Sequence, residues 1–230
     1  MKSLRTLLGS LIVICIILTC CSIPSLAYGS ASYQAPEILL DDSVCYLPEN
    51  PAEVGFIFYC GAFVDYRDYS GILGGLAERG YFTASLKCPL NIAMLNPFGA
   101  LQLMNQHPEI HHWFIGGHSM GGVVASFLAM DLFGRFEGVV LLASYSIVPI
   151  SVPALSIYGT NDGVLVMPLY QLCKPMVSSR LTEMVLQGGN HAQYGNYGFQ
   201  FLDHPADISM EEQQQTCINA IDQFIQSNRK

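Results

Sequence analysis

The chain has 230 residues, 51% of them hydrophobic, and a formal net charge of −8 at pH 7. This acidic balance argues against nucleic acids and anionic membrane surfaces as partners, because both carry negative charge themselves. The length is sufficient for one domain with a substantial hydrophobic core.

The first 27 residues have the pattern of a secretory signal peptide. Two basic residues precede an apolar run from Leu7 to Leu18, and a Ser-x-Ala sequence ends at Ala27. The run is short for a membrane-spanning helix, which needs about 20 residues. We therefore predict cleavage after Ala27 and one exported domain over residues 28–230, secreted or held at the cell surface. Contact with a membrane is expected only through an uncleaved N-terminus or one lipidated at Cys20 or Cys21.

The cysteines do not form a recognisable metal or disulfide framework. Five remain after the leader: Cys45, Cys60, Cys88, Cys173 and Cys217. An odd number without Cys-x-x-Cys spacing predicts neither a zinc site nor a dense set of bridges. An exported protein allows one or two disulfides, and the sequence leaves their pairing open.

Strand-like and helix-like segments alternate along the chain. Strands are predicted over residues 44–47, 54–60, 81–86, 111–116, 138–143, 154–158 and 181–186. Helices are predicted over residues 66–79, 97–106 with Asn96 as the cap, 120–133, 168–173 and 209–226, the last with a capping box from Ser209 to Glu212. Strands that are apolar throughout are typical of parallel sheets covered on both faces. The alternation therefore predicts an α/β fold with a mainly parallel central sheet and helices on both faces.

One stretch carries the strongest functional signal. Residues 117–121 read Gly-His-Ser-Met-Gly and lie between a predicted buried strand and a predicted helix. This Gly-x-Ser-x-Gly pattern places Ser119 on a sharp turn, where its hydroxyl is free to act as a nucleophile. The flanking glycines remove the Cβ atoms that would clash as strand and helix approach each other. The alternative is a glycine-rich packing turn without chemistry.

Two further residues follow predicted strands and complete a catalytic triad. Asp162 follows the strand that ends at residue 158, and His191 follows the strand that ends at residue 186. Ligands of such sheets bind beyond the carboxyl ends of the strands, so Ser119, Asp162 and His191 are expected to meet there. His191 would be the base and Asp162 the acid that orients it. Individually, Asp162 also fits an ordinary Asn-Asp-Gly turn and His191 a plain loop, and Asp131 is an alternative acid.

An oxyanion hole requires two N–H donors. We assign these to Met120, which follows the nucleophile, and to Ala62, in the loop after the first central strand, with Phe63 as its neighbour. His118 is interpreted as a structural residue that packs beside the turn. The remaining histidines lack the spacing of metal ligands, and no metal or organic cofactor is implied.

At this point the sequence resembles the α/β-hydrolase superfamily, and within it the small lidless branch near the dienelactone hydrolases. The matching segments are residues 57–65, 76–81, 116–122, 142–145, 157–163 and 188–195. The resemblance implies an α/β-hydrolase fold without a cap domain, with Ser119 as nucleophile, His191 as base and Asp162 as acid. Two positions depart from the pattern: Cys60 stands where relatives usually carry proline, and Ser119 stands where dienelactone hydrolases carry cysteine.

The sequence therefore predicts an exported serine hydrolase that cleaves a small carboxylic ester through an acyl-enzyme intermediate. A peptidase, thioesterase or acyltransferase using the same triad remains an alternative, as does a binding module that has kept the fold without catalysis. The sequence leaves the oligomeric state open.

Overall fold

The computed structural model describes residues 34–130, 134–177 and 180–230. The strands in these ranges are β1 (Glu37–Leu39), β2 (Ser43–Tyr46), β3 (Val54–Tyr59), β4 (Phe82–Leu86), β5 (His112–His118), β6 (Gly138–Leu142), β7 (Ala154–Gly159) and β8 (Leu181–Leu186). They form one sheet in the order β1-β2-β4-β3-β5-β6-β7-β8. The pairings of β1 with β2 and of β2 with β4 are antiparallel, and those from β4 through β8 are parallel. The predicted mainly parallel sheet is therefore confirmed.

Helices cover both faces of this sheet. They are α1 (Ser70–Ala77), α2 (Gly99–Gln106), α3 (Met120–Leu128), α4 (Met167–Cys173) and α5 (Met210–Asn228). Short 3-10 helices lie at Tyr66–Tyr69, Pro89–Asn91, Ala93–Leu95, Lys174–Met176 and Ala192–Tyr194. Residues 144–153 join β6 to β7 without a helix, so the described chain has no cap domain at this connection.

The central strands are apolar throughout because each of their faces packs on helices. In β3, Phe56 and Phe58 belong to the core beneath α1 and α5, whereas Ile57 and Tyr59 belong to the core beneath α2 and α3. All four side chains are essentially inaccessible to solvent. Because side chains alternate between the two faces of a strand, a central strand contributes to both hydrophobic cores, and the loops that follow the parallel strands lie at the carboxyl edge of the sheet.

Several predicted boundaries differ from the structure. The helix predicted to start after Asn96 begins instead at Gly99, and Asn96 makes no side-chain cap. Its first turn is held by a tertiary contact, since the Tyr59 hydroxyl accepts a hydrogen bond from the Ala100 amide (3.2 Å). Helix α3 ends at Leu128 rather than near residue 133, and residues 131–133 lie outside the described ranges. The predicted cap of α5 is confirmed, since Ser209 Oγ accepts a hydrogen bond from the Glu212 amide (3.1 Å).

Candidate active site

Ser119 occupies a strained turn between β5 and α3. Its backbone has φ 53° and ψ −122°, and residues other than glycine rarely adopt a positive φ of this kind. Two hydrogen bonds hold the turn against β6: the Ser119 amide donates to the Leu142 carbonyl (2.9 Å), and the Ser144 hydroxyl donates to the Ser119 carbonyl (2.6 Å). Strain of this kind persists only where the surroundings enforce it, and it clusters at functional sites.

The two glycines of the Gly-x-Ser-x-Gly pattern are required by close backbone packing. A Cβ atom on Gly117 would lie 2.3 Å from the carbonyl carbon of Gly121. A Cβ atom on Gly121 would lie 2.1 Å from the carbonyl oxygen of Tyr59 on the neighbouring strand. Both distances are far below van der Waals contact, so only glycine allows α3 to begin this close to the sheet.

The structure brings Asp162 and His191 together. His191 Nδ1 lies 2.9 Å from Asp162 Oδ2 and 3.1 Å from Oδ1, and the two side chains are 3% and 1% exposed. The carboxylate also accepts the amides of Val164 (2.9 Å) and Leu165 (2.7 Å), which fix its orientation. A carboxylate accepts hydrogen bonds, so this contact is satisfied when Nδ1 of His191 donates to Asp162.

His191 lies next to the turn that carries Ser119. Its imidazole ring is 4.5 Å, centroid to centroid, from that of His118, the residue directly before Ser119. The loops after β5, β7 and β8 therefore converge at one edge of the sheet. This is the edge at which ligands of parallel sheets bind.

The residues predicted as oxyanion donors, Ala62 and Met120, lie in the loop after β3 and at the start of α3. In the loop after β3, Gly61 donates its amide to the Tyr69 hydroxyl (2.9 Å), and Phe63 donates to the Asn91 carbonyl (2.8 Å). Between them, the Ala62 amide has no hydrogen-bond acceptor in the part of the chain that the structure describes. Met120 is the first residue of α3, where amides have no acceptor within the helix. Neither amide is used in holding the turn or the loop together within the described chain.

A protein-family model described as "Alpha/beta hydrolase family" matches residues 55–215, which include every strand from β4 to β8 and all three triad candidates. The chain belongs to the alpha/beta hydrolase family. No curated protein sequence matches it.

Solved structures share the fold of this alpha/beta hydrolase at low sequence identity. TT1662 from Thermus thermophilus is 15% identical with a TM-score of 0.61, over 84% of this chain and 98% of its own. Est1E from Butyrivibrio proteoclasticus, in a ferulic acid complex, is 11% identical with a TM-score of 0.63, over 84% and 99%. A Thermogutta terrifontis esterase, Est2, is 14% identical with a TM-score of 0.62, over 87% and 95%.

The structure adds a supporting pair that the sequence did not indicate. The Tyr69 hydroxyl accepts the Gly61 amide, so its own proton is available to the Nδ1 atom of His118, 2.9 Å away. Burial lowers the pKa of His118 well below its usual 6.5, so this imidazole stays neutral. Tyr69 and His118 are 49 residues apart, and neither belongs to a sequence pattern that links them. Together they connect the loop after β3 in this hydrolase to His118, the residue before Ser119.

All five cysteines that follow the predicted leader are buried free thiols. Cys60 lies beside Cys88. A hydrogen bond between the two thiols, together with burial, raises the pKa of Cys60. The disulfides that an exported protein allows are therefore not formed in this hydrolase structure.

Two further expectations concern metals and membranes. Among the described residues of this hydrolase, no group of three or more His, Cys, Asp or Glu side chains is arranged to hold a metal ion. The same residues include no helix with the length and apolarity needed to cross a membrane. The predicted leader and the alternative acid Asp131 lie outside the described ranges.

Proposed function

We propose that this protein is an exported serine hydrolase that cleaves carboxylic esters, with Ser119 as nucleophile, His191 as base and Asp162 as acid. The observation that carries the proposal is the buried His191–Asp162 hydrogen bond (2.9 Å) beside the strained turn of Ser119. A nucleophile, a base and an orienting acid in the loops after β5, β8 and β7, at one edge of the sheet, form the constellation that activates a serine hydroxyl. Membership in the alpha/beta hydrolase family supports hydrolytic activity.

In the first half of the proposed reaction, Ser119 Oγ attacks the carbonyl carbon of the ester while His191 Nε2 takes the hydroxyl proton. Asp162 stabilises the imidazolium that forms, through its hydrogen bond to Nδ1. The negative charge on the former carbonyl oxygen is bound by the amides of Met120 and Ala62. The tetrahedral intermediate then collapses. The bond to the alcohol oxygen breaks, and the alcohol leaves with the proton from His191.

In the second half, water replaces the alcohol. His191 removes a proton from the water as its oxygen attacks the acyl-enzyme carbonyl, and the proton is returned to Ser119 Oγ as the acid leaves. The enzyme recovers its starting state. The net reaction is one ester and one water converted to one acid and one alcohol.

The proposed substrates are small esters, or esters presented at a surface. Residues 144–153 run from β6 to β7 without the helical cap that would enclose a substrate. The structural neighbours support an ester substrate, because Est2 is described as an esterase and is seen with butyrate, and Est1E is seen with ferulic acid. Ester, thioester and amide substrates of one acyl group, compared side by side, would separate this proposal from a thioesterase or peptidase.

A fluorophosphonate probe tests the activated serine directly. The same T. terrifontis esterase 2 is also known as its adduct with sarin, a reagent of the same chemical class. We expect the mature protein to be labelled, and Ser119→Ala and His191→Ala to be unlabelled. Ser126→Ala is the matched control, since Ser126 is a buried serine of α3 that donates to the Val123 carbonyl, and this variant should label normally. A folded wild-type protein that resists the probe, or labelling that survives Ser119→Ala, would contradict the proposal.

A further inference from the structure

One carboxylate outside the predicted triad contacts both loops that carry the acid and the base. Asp203 Oδ1 accepts the amides of Gly163 (3.0 Å) and His191 (3.2 Å), and its Oδ2 accepts the amide of Ala192 (2.8 Å). Gly163 directly follows Asp162. A single side chain thus fixes the backbone of the base and the backbone next to the acid through three charge-assisted hydrogen bonds.

These bonds act where the sheet no longer holds the chain. The pairing of β7 with β8 ends at Gly159 and Leu186, so Asp162 and His191 lie three and five residues beyond it. Nearer to the strands, the Asn161 amide donates to the Gly189 carbonyl (2.9 Å), and this hydrogen bond joins the two loops where they leave the sheet. At the triad residues themselves, Asp203 bridges the two backbones.

The segment that presents Asp203 is built tightly against the acid loop. A Cβ atom on Gly163 would lie 2.2 Å from the Leu202 carbonyl oxygen, so this approach requires glycine. Leu202 itself has a left-handed φ of 71°. On the other side, the Asn190 side chain donates to the His204 carbonyl (2.9 Å). The backbone around Asp203 is therefore held in place, and its short side chain keeps the carboxylate in a defined position.

We propose that Asp203 is a positioning residue, which holds the loops of Asp162 and His191 in the arrangement where their side chains meet. It does not touch the reacting atoms. Its role in turnover rests on the proposed function, but its role in the His191–Asp162 contact does not. An error of about 1 Å in a catalytic group costs up to roughly 100-fold in rate, so loosening this bridge affects the chemical step more than substrate binding.

The test is Asp203→Asn in the mature protein, with Asp222→Asn as the matched control. The asparagine retains one acceptor oxygen, and its NH2 group faces a backbone N–H, so at least one of the three amides loses its partner. Asp222 also bridges two elements, through Arg79 (2.5 Å) and the Tyr81 hydroxyl (2.6 Å), but neither contact involves the triad loops. A general loss of stability is therefore expected in both variants.

Two readouts separate positioning from stability. The first is the His191 Nδ1 proton, a strongly downfield nitrogen-15-coupled NMR signal assigned by its loss in His191→Gln. The second is the split between kcat and KM on an activated ester, with the rate of fluorophosphonate labelling. For Asp203→Asn we expect the proton signal to shift or broaden, kcat and the labelling rate to fall roughly 10- to 100-fold, and KM to change less than about threefold. For Asp222→Asn we expect the proton signal, kcat, the labelling rate and KM all to match the wild type.

The outcomes are distinct. An unchanged Nδ1 proton in Asp203→Asn overturns the positioning role, whether or not the protein is an enzyme. A shifted proton with an unchanged kcat in an active enzyme also overturns it. If the wild type neither turns over esters nor labels, the proposed function fails, and the NMR signal alone then decides whether Asp203 positions His191.

Discussion

Removing the Tyr69 hydroxyl is expected to damage both stability and activity. This hydroxyl bridges the Gly61 amide and His118 Nδ1 at 2.9 Å each, and the Tyr69 side chain is completely buried. In Tyr69→Phe the ring remains in place, so the packing loss is small. What is lost is the only partner of two buried polar groups within the described chain.

The magnitude follows from these two groups. A buried donor or acceptor left without a partner costs about 1–3 kcal/mol, so two such groups predict a destabilisation of roughly 3 kcal/mol. Gly61 also precedes Ala62, the proposed oxyanion donor. Complete loss of one oxyanion donor costs about 100- to 1000-fold in kcat. Because Ala62 is displaced here rather than removed, we expect a kcat loss of roughly 10-fold.

Urea denaturation and ester hydrolysis measure the two effects. A loss of roughly 3 kcal/mol lowers the urea midpoint by about 1 M if the slope is about 3 kcal/mol/M. Tyr194→Phe is the matched control, since Tyr194 is equally buried but donates only one long bond (3.3 Å) to the Ile157 carbonyl. That carbonyl keeps a second donor, the Ala143 amide at 2.8 Å. If the two variants lose the same stability, the bridge assigned to Tyr69 is refuted.

Two further substitutions test local electrostatics and the nucleophile turn. Burial and the nearby charge of Asp65 raise the pKa of Asp68 from 3.8 to about 6, so the folded protein binds this proton more tightly than the unfolded chain, and stability falls as the pH rises between these values. Asp68→Asn should therefore raise the free energy of unfolding, measured by urea denaturation at pH 8, by at most about 1 kcal/mol after solvent screening, and leave it unchanged at pH 3; a gain of equal size at both pH values would contradict this. Ser144→Ala removes the 2.6 Å hydrogen bond to the Ser119 carbonyl, which still receives the Gly122 amide at 3.1 Å. We expect a stability loss of about 1 kcal/mol and a severalfold slower reaction with the fluorophosphonate probe, and an unchanged rate would show that the turn is held without Ser144.

The sheet could be predicted from the sequence because its signals are local. The strands from β3 to β8 are short apolar runs bounded by turn residues, and their order in the chain follows the alternation with helices. The need for glycine at positions 117 and 121 could be predicted for the same reason, since a strand, a glycine-flanked serine and a helix follow each other within a few residues. The N-cap of α5 was likewise contained in four residues, from Ser209 to Glu212.

Features set by tertiary contacts could not be predicted. The start of α2 was predicted at Asn96 and Pro97 from their capping propensities, but it is fixed by the hydroxyl of Tyr59, about 40 residues earlier. All three residues of β1 are exposed, so this strand has no burial pattern to reveal it. The start of α2 and the pairing of β1 with β2 both depend on contacts that exist only after the chain has folded.

The same division separates the proposed catalytic groups from those that hold them. Ser119, Asp162 and His191 could be proposed from the sequence because each lies within five residues of the end of a recognisable strand. Tyr69 and Asp203 contact the same site, yet one lies in a 3-10 helix and the other in an irregular loop, where tyrosine and aspartate are ordinary residues. Each of these two side chains acts by accepting hydrogen bonds from backbone amides of other loops. No spacing along the chain predicts such hydrogen bonds. We therefore expect kcat to fall when either Tyr69 or Asp203 is substituted, although neither residue belongs to a sequence motif.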